Sequence, residues 1–151
     1  MINIVINEDY AEFVKEDLLT AAAETVIQLS QIQDEIEMSV VIQSDDDLHD
    51  LNRQFLGIDA PTDVLSFPAD EIDPDSGLRI LGDVIISYPR AAEQATAAGE
   101  TVDDEIQLLV IHGTLHLLGY DHTTSEEKQT MWELQRKALD QLGCKIIRLP
   151  E

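Results

Sequence analysis

Residues 81–87 read Leu81-Gly82-Asp83-Val84-Ile85-Ile86-Ser87, a near-continuously apolar run of one strand's length. A strand with so little polar alternation is expected to be buried on both faces, which requires other layers of structure to cover it. The flanking sequence supplies candidates for those layers. Ile2, Ile4 and Ile6 alternate with Asn3, Val5 and Asn7 as in a first strand, and residues 11–31 carry helical spacing at Phe13, Leu18, Ala22, Val26 and Leu29. Residues 38–43 (Met-Ser-Val-Val-Ile-Gln) read as a second strand. Ser44 is a natural N-cap for the next helix, whose first turn carries Asp45, Asp46 and Asp47 where negative charge is favoured, and Gly57 marks its end. These consecutive aspartates do not share a helix face, so they read as a solvated first turn, with His49 exposed beside them.

Residues 61–68 form a short strand bounded by Pro61 and Pro68; proline donates no ladder hydrogen bond, so the segment suits a sheet edge. The acidic stretch 69–77 reads as a turn. A helix follows residues 81–87, with Pro89 in its first turn and Gly99 at its end. Thr101 and Asp104 resemble a capping box for a further helix whose packed stripe is Ile106, Leu109, Val110, Gly113 and Leu117. Thr124 and Glu127 repeat the pattern for a last helix through Met131, Leu134, Ala138 and Leu142 to Gly143, with Met131 and Trp132 as packing residues. No internal repeat or linker interrupts the 151 residues, which fit one domain. The succession predicts an α/β or α+β layer structure, a four-stranded mixed sheet packed against about five helices.

The helix opened by Thr101 carries the chemistry. His112 and His116 are one turn apart, so their imidazoles project from one face at a separation that a single metal ion can bridge. Gly119 can then turn the chain so that His122 approaches the same ion. Three nitrogen ligands and an open fourth position are a catalytic arrangement, and neutral imidazole suits Zn2+, although other divalent metals accept it. The spacing is that of the metzincin proteases, except that Gly113 replaces the glutamate that serves there as general base. Peptide hydrolysis is therefore disfavoured, and Asp121 is the candidate nearest in sequence for handling a proton, its ordinary reading being a helix-terminal turn residue.

Composition sets outer limits. Thirty-one acidic against nine basic residues give a formal charge of −22, which by itself argues against non-specific nucleic-acid binding, although a metal and an arginine inside a cleft can dominate locally. The single cysteine, Cys144, excludes an internal disulfide and fits a reducing cytoplasm. No apolar run reaches the roughly 20 residues of a membrane span, and no basic signal region opens the chain.

The cluster at 112–122, together with Leu51-Asn52, the Pro-Thr-Asp-Val-Leu-Ser-Phe-Pro run at 61–68 and residues 81–87, resembles the YbeY family of bacterial endoribonucleases, in order along most of the chain. The resemblance implies a sheet of three parallel strands and one antiparallel strand, with zinc held by His112, His116 and His122. It implies a zinc-dependent endoribonuclease specific for single-stranded RNA, acting on the 3′ end of small-subunit ribosomal RNA and in ribosome quality control, with the small ribosomal subunit as partner. In the family an arginine usually follows the aromatic residue before Pro-Thr-Asp, whereas here Phe55 is followed by Leu56. Arg53, about one helical turn earlier, is the candidate to replace it against phosphate; the ordinary role of such a residue is a surface charge. Ser66 is a candidate substrate contact on the edge strand, although strand alternation alone turns it outward. A hydrolase of another bond type and a ribosome-associated factor with a mainly structural metal are the alternatives.

Overall fold

Four strands form one sheet in the order β1-β2-β4-β3 in the computed structural model, which describes residues 1–121 and 123–146. β1 (Ile2–Ile6) runs parallel to β2 (Ile36–Gln43), and β2 runs parallel to β4 (Arg79–Ser87). β3 (Val64–Ile72) closes the edge antiparallel to β4, placing Ser66 opposite Val84. The helices are α1 (Glu16–Leu29), α2 (Asp45–Leu51), α3 (Tyr88–Ala98), α4 (Val102–Leu117) and α5 (Ser125–Leu142). This is an α+β fold with the expected three parallel strands and one antiparallel strand.

The predicted caps form. Ser44, Thr101 and Thr124 each accept a backbone N–H three residues on, satisfying donors that a helix start leaves unpaired. α1 is shorter than its apolar spacing predicts: Phe13 lies in the turn before it, stacked on Tyr88 with ring centroids 6.0 Å apart. After α2 the chain widens into a π-helical turn, Asn52–Leu56, which ends at the left-handed Gly57. Asn52 is buried there and donates its side-chain amide to the carbonyl of Ala60 at 2.9 Å, so the path from this turn into β3 is pinned.

Two strand expectations need correction. β3 does not stop at Pro68 but continues to Ile72, with a register shift between Pro68 and Glu71 and a left-handed Asp70. An edge strand tolerates this because its outer side has no ladder to break. β4 is also not buried on both faces: Leu81, Val84 and Ile86 are buried, Ile85 is half-buried and Asp83 is exposed. The reason is that the main helical layer covers one face of the sheet. Residues of α2 and the π turn only border the other face near Val41 and Ile85.

α4 is the centre of that layer, in contact with α1, α3, α5, β3 and β4. Every residue from Glu105 through Leu115 is buried, so the helix is enclosed on all sides rather than along one stripe. It shares one apolar core with Leu19, Ala22, Ala23 and Val26 of α1, Met38, Val40 and Ile42 of β2, and Met131 and Leu139 of α5. A helix held this way fixes the direction of any side chain it presents at its open end. Among the described residues no helix is long and apolar enough to cross a membrane.

Candidate metal centre and active site

The last two turns of α4 present His112 and His116. His112 is 7 % exposed and His116 is half-buried, and their rings meet edge to face with centroids 4.5 Å apart. Their Nε2 atoms face one another at 3.0 Å. Two nitrogens bound tetrahedrally to one zinc at about 2.0–2.1 Å would be separated by about 3.3 Å, so these two converge at nearly the spacing of a shared ion. The other ring nitrogen of His112, Nδ1, lies 2.8 Å from Oε1 of Gln135, a fully buried residue of α5. That contact restrains the ring about its own axis.

The two imidazoles open onto a cleft of about 320 Å³ lined also by Leu56, Val64, Leu65, Ser66 and Pro68. The cleft thus lies between the end of α4, the edge strand β3 and the π turn. Ser66 does more than line it: its hydroxyl donates to the carbonyl of Gly113 at 3.0 Å and ties β3 to α4. Gly113 explains the intimacy of that packing. A Cβ at this position would lie 2.6 Å from Cγ1 of Val84 and 3.2 Å from Oγ of Ser66, so α4 approaches the sheet as closely as only glycine permits. Position 113 therefore faces the sheet, and a glutamate there would be driven into β4.

Beyond Leu117 the chain reverses at Gly119, whose φ of 94° favours glycine, and the N–H of Tyr120 returns to the carbonyl of Leu115 at 3.0 Å. Asp121 follows, exposed, and accepts from the Thr123 hydroxyl at 3.2 Å. It lines a neighbouring hollow of about 290 Å³ with Tyr120 and Glu126, not the histidine cleft itself. His122, the third expected ligand, lies outside the described residues, and among the described residues no group of three or more His, Cys, Asp and Glu side chains could hold a metal.

The structure separates Leu56, which stands where an arginine was expected, from Arg53, the candidate to replace it. Leu56 lines the cleft and is 56 % exposed. Arg53 points elsewhere, its guanidinium donating to Asp50 at 3.0 Å on the outer surface. Phe55, also exposed, meets Phe67 of β3 edge-on at 5.5 Å. His49 pairs with Asp59 at 2.7 Å, Met131 is core, and Trp132 packs under the ammonium of Lys128.

Gln135 is the site residue that sequence reasoning missed. The signal was present: it sits four residues after Met131 and three before Ala138, so a polar side chain occupies the apolar stripe of α5. A buried polar group in such a place needs a partner, and the partner is a candidate metal ligand.

Comparison with known proteins agrees with this geometry. The family model described as Endoribonuclease YbeY matches residues 3–143. A protein of Persephonella marina named Endoribonuclease YbeY is 44 % identical over 149 residues, covering 94 % of each chain. The Bacillus subtilis protein of the same name is 43 % identical over 138 residues, covering 86 % of this chain and 85 % of its own. Among solved structures, a solution structure from Thermotoga maritima superposes with a TM-score of 0.64 at 32 % identity, covering 94 % of this chain and 89 % of that one. With the histidine cleft, the edge strand and the order of motifs all in place, the chain belongs to the YbeY endoribonuclease family.

Proposed function

We propose that this chain is a zinc-dependent endoribonuclease that cuts single-stranded RNA during maturation of the 3′ end of small-subunit ribosomal RNA and in ribosome quality control, in the cytoplasm. The observation that carries the reading is the convergence of two imidazole Nε2 atoms, 3.0 Å apart, at the mouth of a cleft walled by a sheet edge. The donor set fits zinc: two neutral imidazoles, one of them held by a buried amide, with His122 proposed as the third ligand. When bound, zinc supplies a Lewis acid for a phosphodiester oxygen.

The chain's own residues do the rest. β3 pairs on one side only, so its outer backbone N–H and C=O groups are free to meet an extended, unpaired strand, which a duplex could not offer. Leu56, Val64, Leu65 and Pro68 give the cleft an apolar wall, which limits the water around a bound phosphodiester. Asp121, which follows the Gly119 turn at the end of α4, is the residue we assign to exchange a proton beside the site. Because Leu56 stands in the cleft where an arginine would offer a bidentate phosphate contact, free RNA is held weakly, and delivery by the small ribosomal subunit makes up the difference.

The test is cleavage of purified single-stranded RNA by zinc-loaded protein. Cleavage should be abolished by a chelator, restored by zinc, and lost in a His116→Ala variant whose circular dichroism matches the parent. Undiminished cleavage by that folded variant would overturn the assignment.

A further inference from the structure

Gln135 is fully buried among Met131, Ala138 and Leu139, yet it is polar, and its amide nitrogen Nε2 has no hydrogen-bond partner among the described residues. A leucine or methionine would fill the same space without stranding a donor. What the amide provides instead is one contact, Oε1 to Nδ1 of His112 at 2.8 Å. We infer that Gln135 is a positioning residue that fixes His112 in the Nδ1–H tautomer, so that its Nε2 keeps a lone pair directed into the cleft for a divalent metal. The inference rests on the metal reading above.

The chemistry leaves little freedom. A carbonyl oxygen only accepts, so Nδ1 of His112 must donate to it, and in a neutral imidazole the other nitrogen is then unprotonated. Nε2 of His112 faces Nε2 of His116 at 3.0 Å, so the lone pair it keeps is directed toward the second candidate ligand. His112 thus donates from Nδ1 to Gln135 and stays unprotonated at Nε2. One nitrogen is thereby ready for a metal before any metal arrives. The arrangement draws on three helices, since α4 supplies the ring, α5 supplies the amide, and α1 packs against both. Ligating histidines elsewhere gain tautomer and orientation from such outer partners, whose loss typically lowers metal affinity by about 10- to 100-fold.

The experiment uses the full chain with Gln135→Leu, which removes the acceptor, and Gln135→Glu, which keeps one. Imidazole ¹⁵N spectra of the metal-free proteins should show His112 protonated at Nδ1 in the parent and in Gln135→Glu, and shifted toward Nε2–H in Gln135→Leu. Zinc affinity measured by chelator competition should fall about 10- to 100-fold in Gln135→Leu and stay within a few-fold of the parent in Gln135→Glu. An Nε2–H signature on His112 in the parent overturns the inference, as does unchanged zinc affinity in Gln135→Leu. If Gln135→Leu fails to fold, the parent spectrum and Gln135→Glu still decide. If the parent binds no zinc, the metal reading fails, while the tautomer spectrum judges the role of Gln135 separately.

Discussion

Placing alanine at Gly113 should destabilise the protein even though it improves the helix. Alanine gains about 1 kcal/mol over glycine in a helix interior. Against this, the new methyl would sit 2.6 Å from Cγ1 and 3.1 Å from Cγ2 of Val84, and 3.2 Å from Oγ of Ser66. Val84 cannot step aside: it is fully buried in β4, it is stiff at χ1, and both of its γ-carbons already face the glycine. Overpacking of this kind costs about 1–3 kcal/mol, so the net loss is about 1 kcal/mol, or a midpoint shift of about 0.5 M urea for an m-value of about 2 kcal/mol/M. The cycle with Val84→Ala isolates the cause. Alone, that change costs about 2 kcal/mol through lost burial and a cavity. In its presence the methyl at 113 fills space, Gly113→Ala becomes stabilising by about 1 kcal/mol, and the coupling is about 2 kcal/mol. Gly113→Glu should lose several kcal/mol, because its carboxylate would enter the helix–sheet interface. Urea melts of the four proteins in the cycle measure every quantity. A Gly113→Ala variant as stable as its parent, or a coupling near zero, would refute the close-packing account.

Leu56→Arg should strengthen binding of free single-stranded RNA and steepen its log–log salt dependence by about 0.7, the share of one added phosphate contact, with zinc content unchanged. Arg53→Ala should leave both untouched, because Arg53 is engaged with Asp50 outside the cleft; a marked loss of RNA binding would show that it reaches substrate. The carboxyl of Asp45 is held below the ordinary carboxylate range, chiefly by hydrogen bonds from Arg90 and more weakly by Ser87, with burial opposing. Its contribution is present above the unfolded-state pKa of about 3.9 and is lost as pH falls through the folded value. Arg90→Met should cost about 1 kcal/mol at neutral pH, a small amount because the pair is about one-third exposed, and should flatten the acid limb of the stability profile. Burial, aided by Asp104, pushes the Cys144 thiol up to about 12. Its contribution is therefore whole below an unfolded-state pKa of about 8.5 and lost as pH rises toward the folded value. At pH 8 a thiol reagent should label Cys144 only on unfolding, and fast labelling of native protein would contradict its burial.

Local signals carried much of this fold. Ser44, Thr101 and Thr124 cap as their side chains dictate, and the proline at 61 announces an edge strand. What resisted reading was whatever depends on which surfaces meet. The apolar run at 81–87 gives no indication that helices would crowd one face of the sheet and leave Asp83 exposed on the other. Phe13 fits a helical period but is taken by stacking on Tyr88, a partner 75 residues away in the chain. Proline at 68 looks like a terminus because its missing donor matters in a ladder, yet β3 has a side with no ladder and continues past it.

The candidate site divides along the same line. His112 and His116 are legible because one helical turn fixes their relation regardless of surroundings, while Gln135 reaches them from another helix across 23 residues and shows in sequence only as a polar break in an apolar stripe. Gly113 joins the two cases. In sequence it registers as a missing general base, an absence that disfavours peptide hydrolysis without offering a reason. In the structure the reason is geometric: the residue following His112 points at Val84, and the hydroxyl of Ser66 closes on its carbonyl, so even a methyl is opposed there and a longer side chain more so. A helix that lies this close to the sheet brings His112 and His116 to the edge strand, where Ser66 and Pro68 line the same cleft. The same closeness forbids a carboxylate beside the first histidine, so the carboxylate that follows the histidines in sequence lies off the helix: Asp121, beyond the Gly119 turn, exposed and lining the neighbouring hollow.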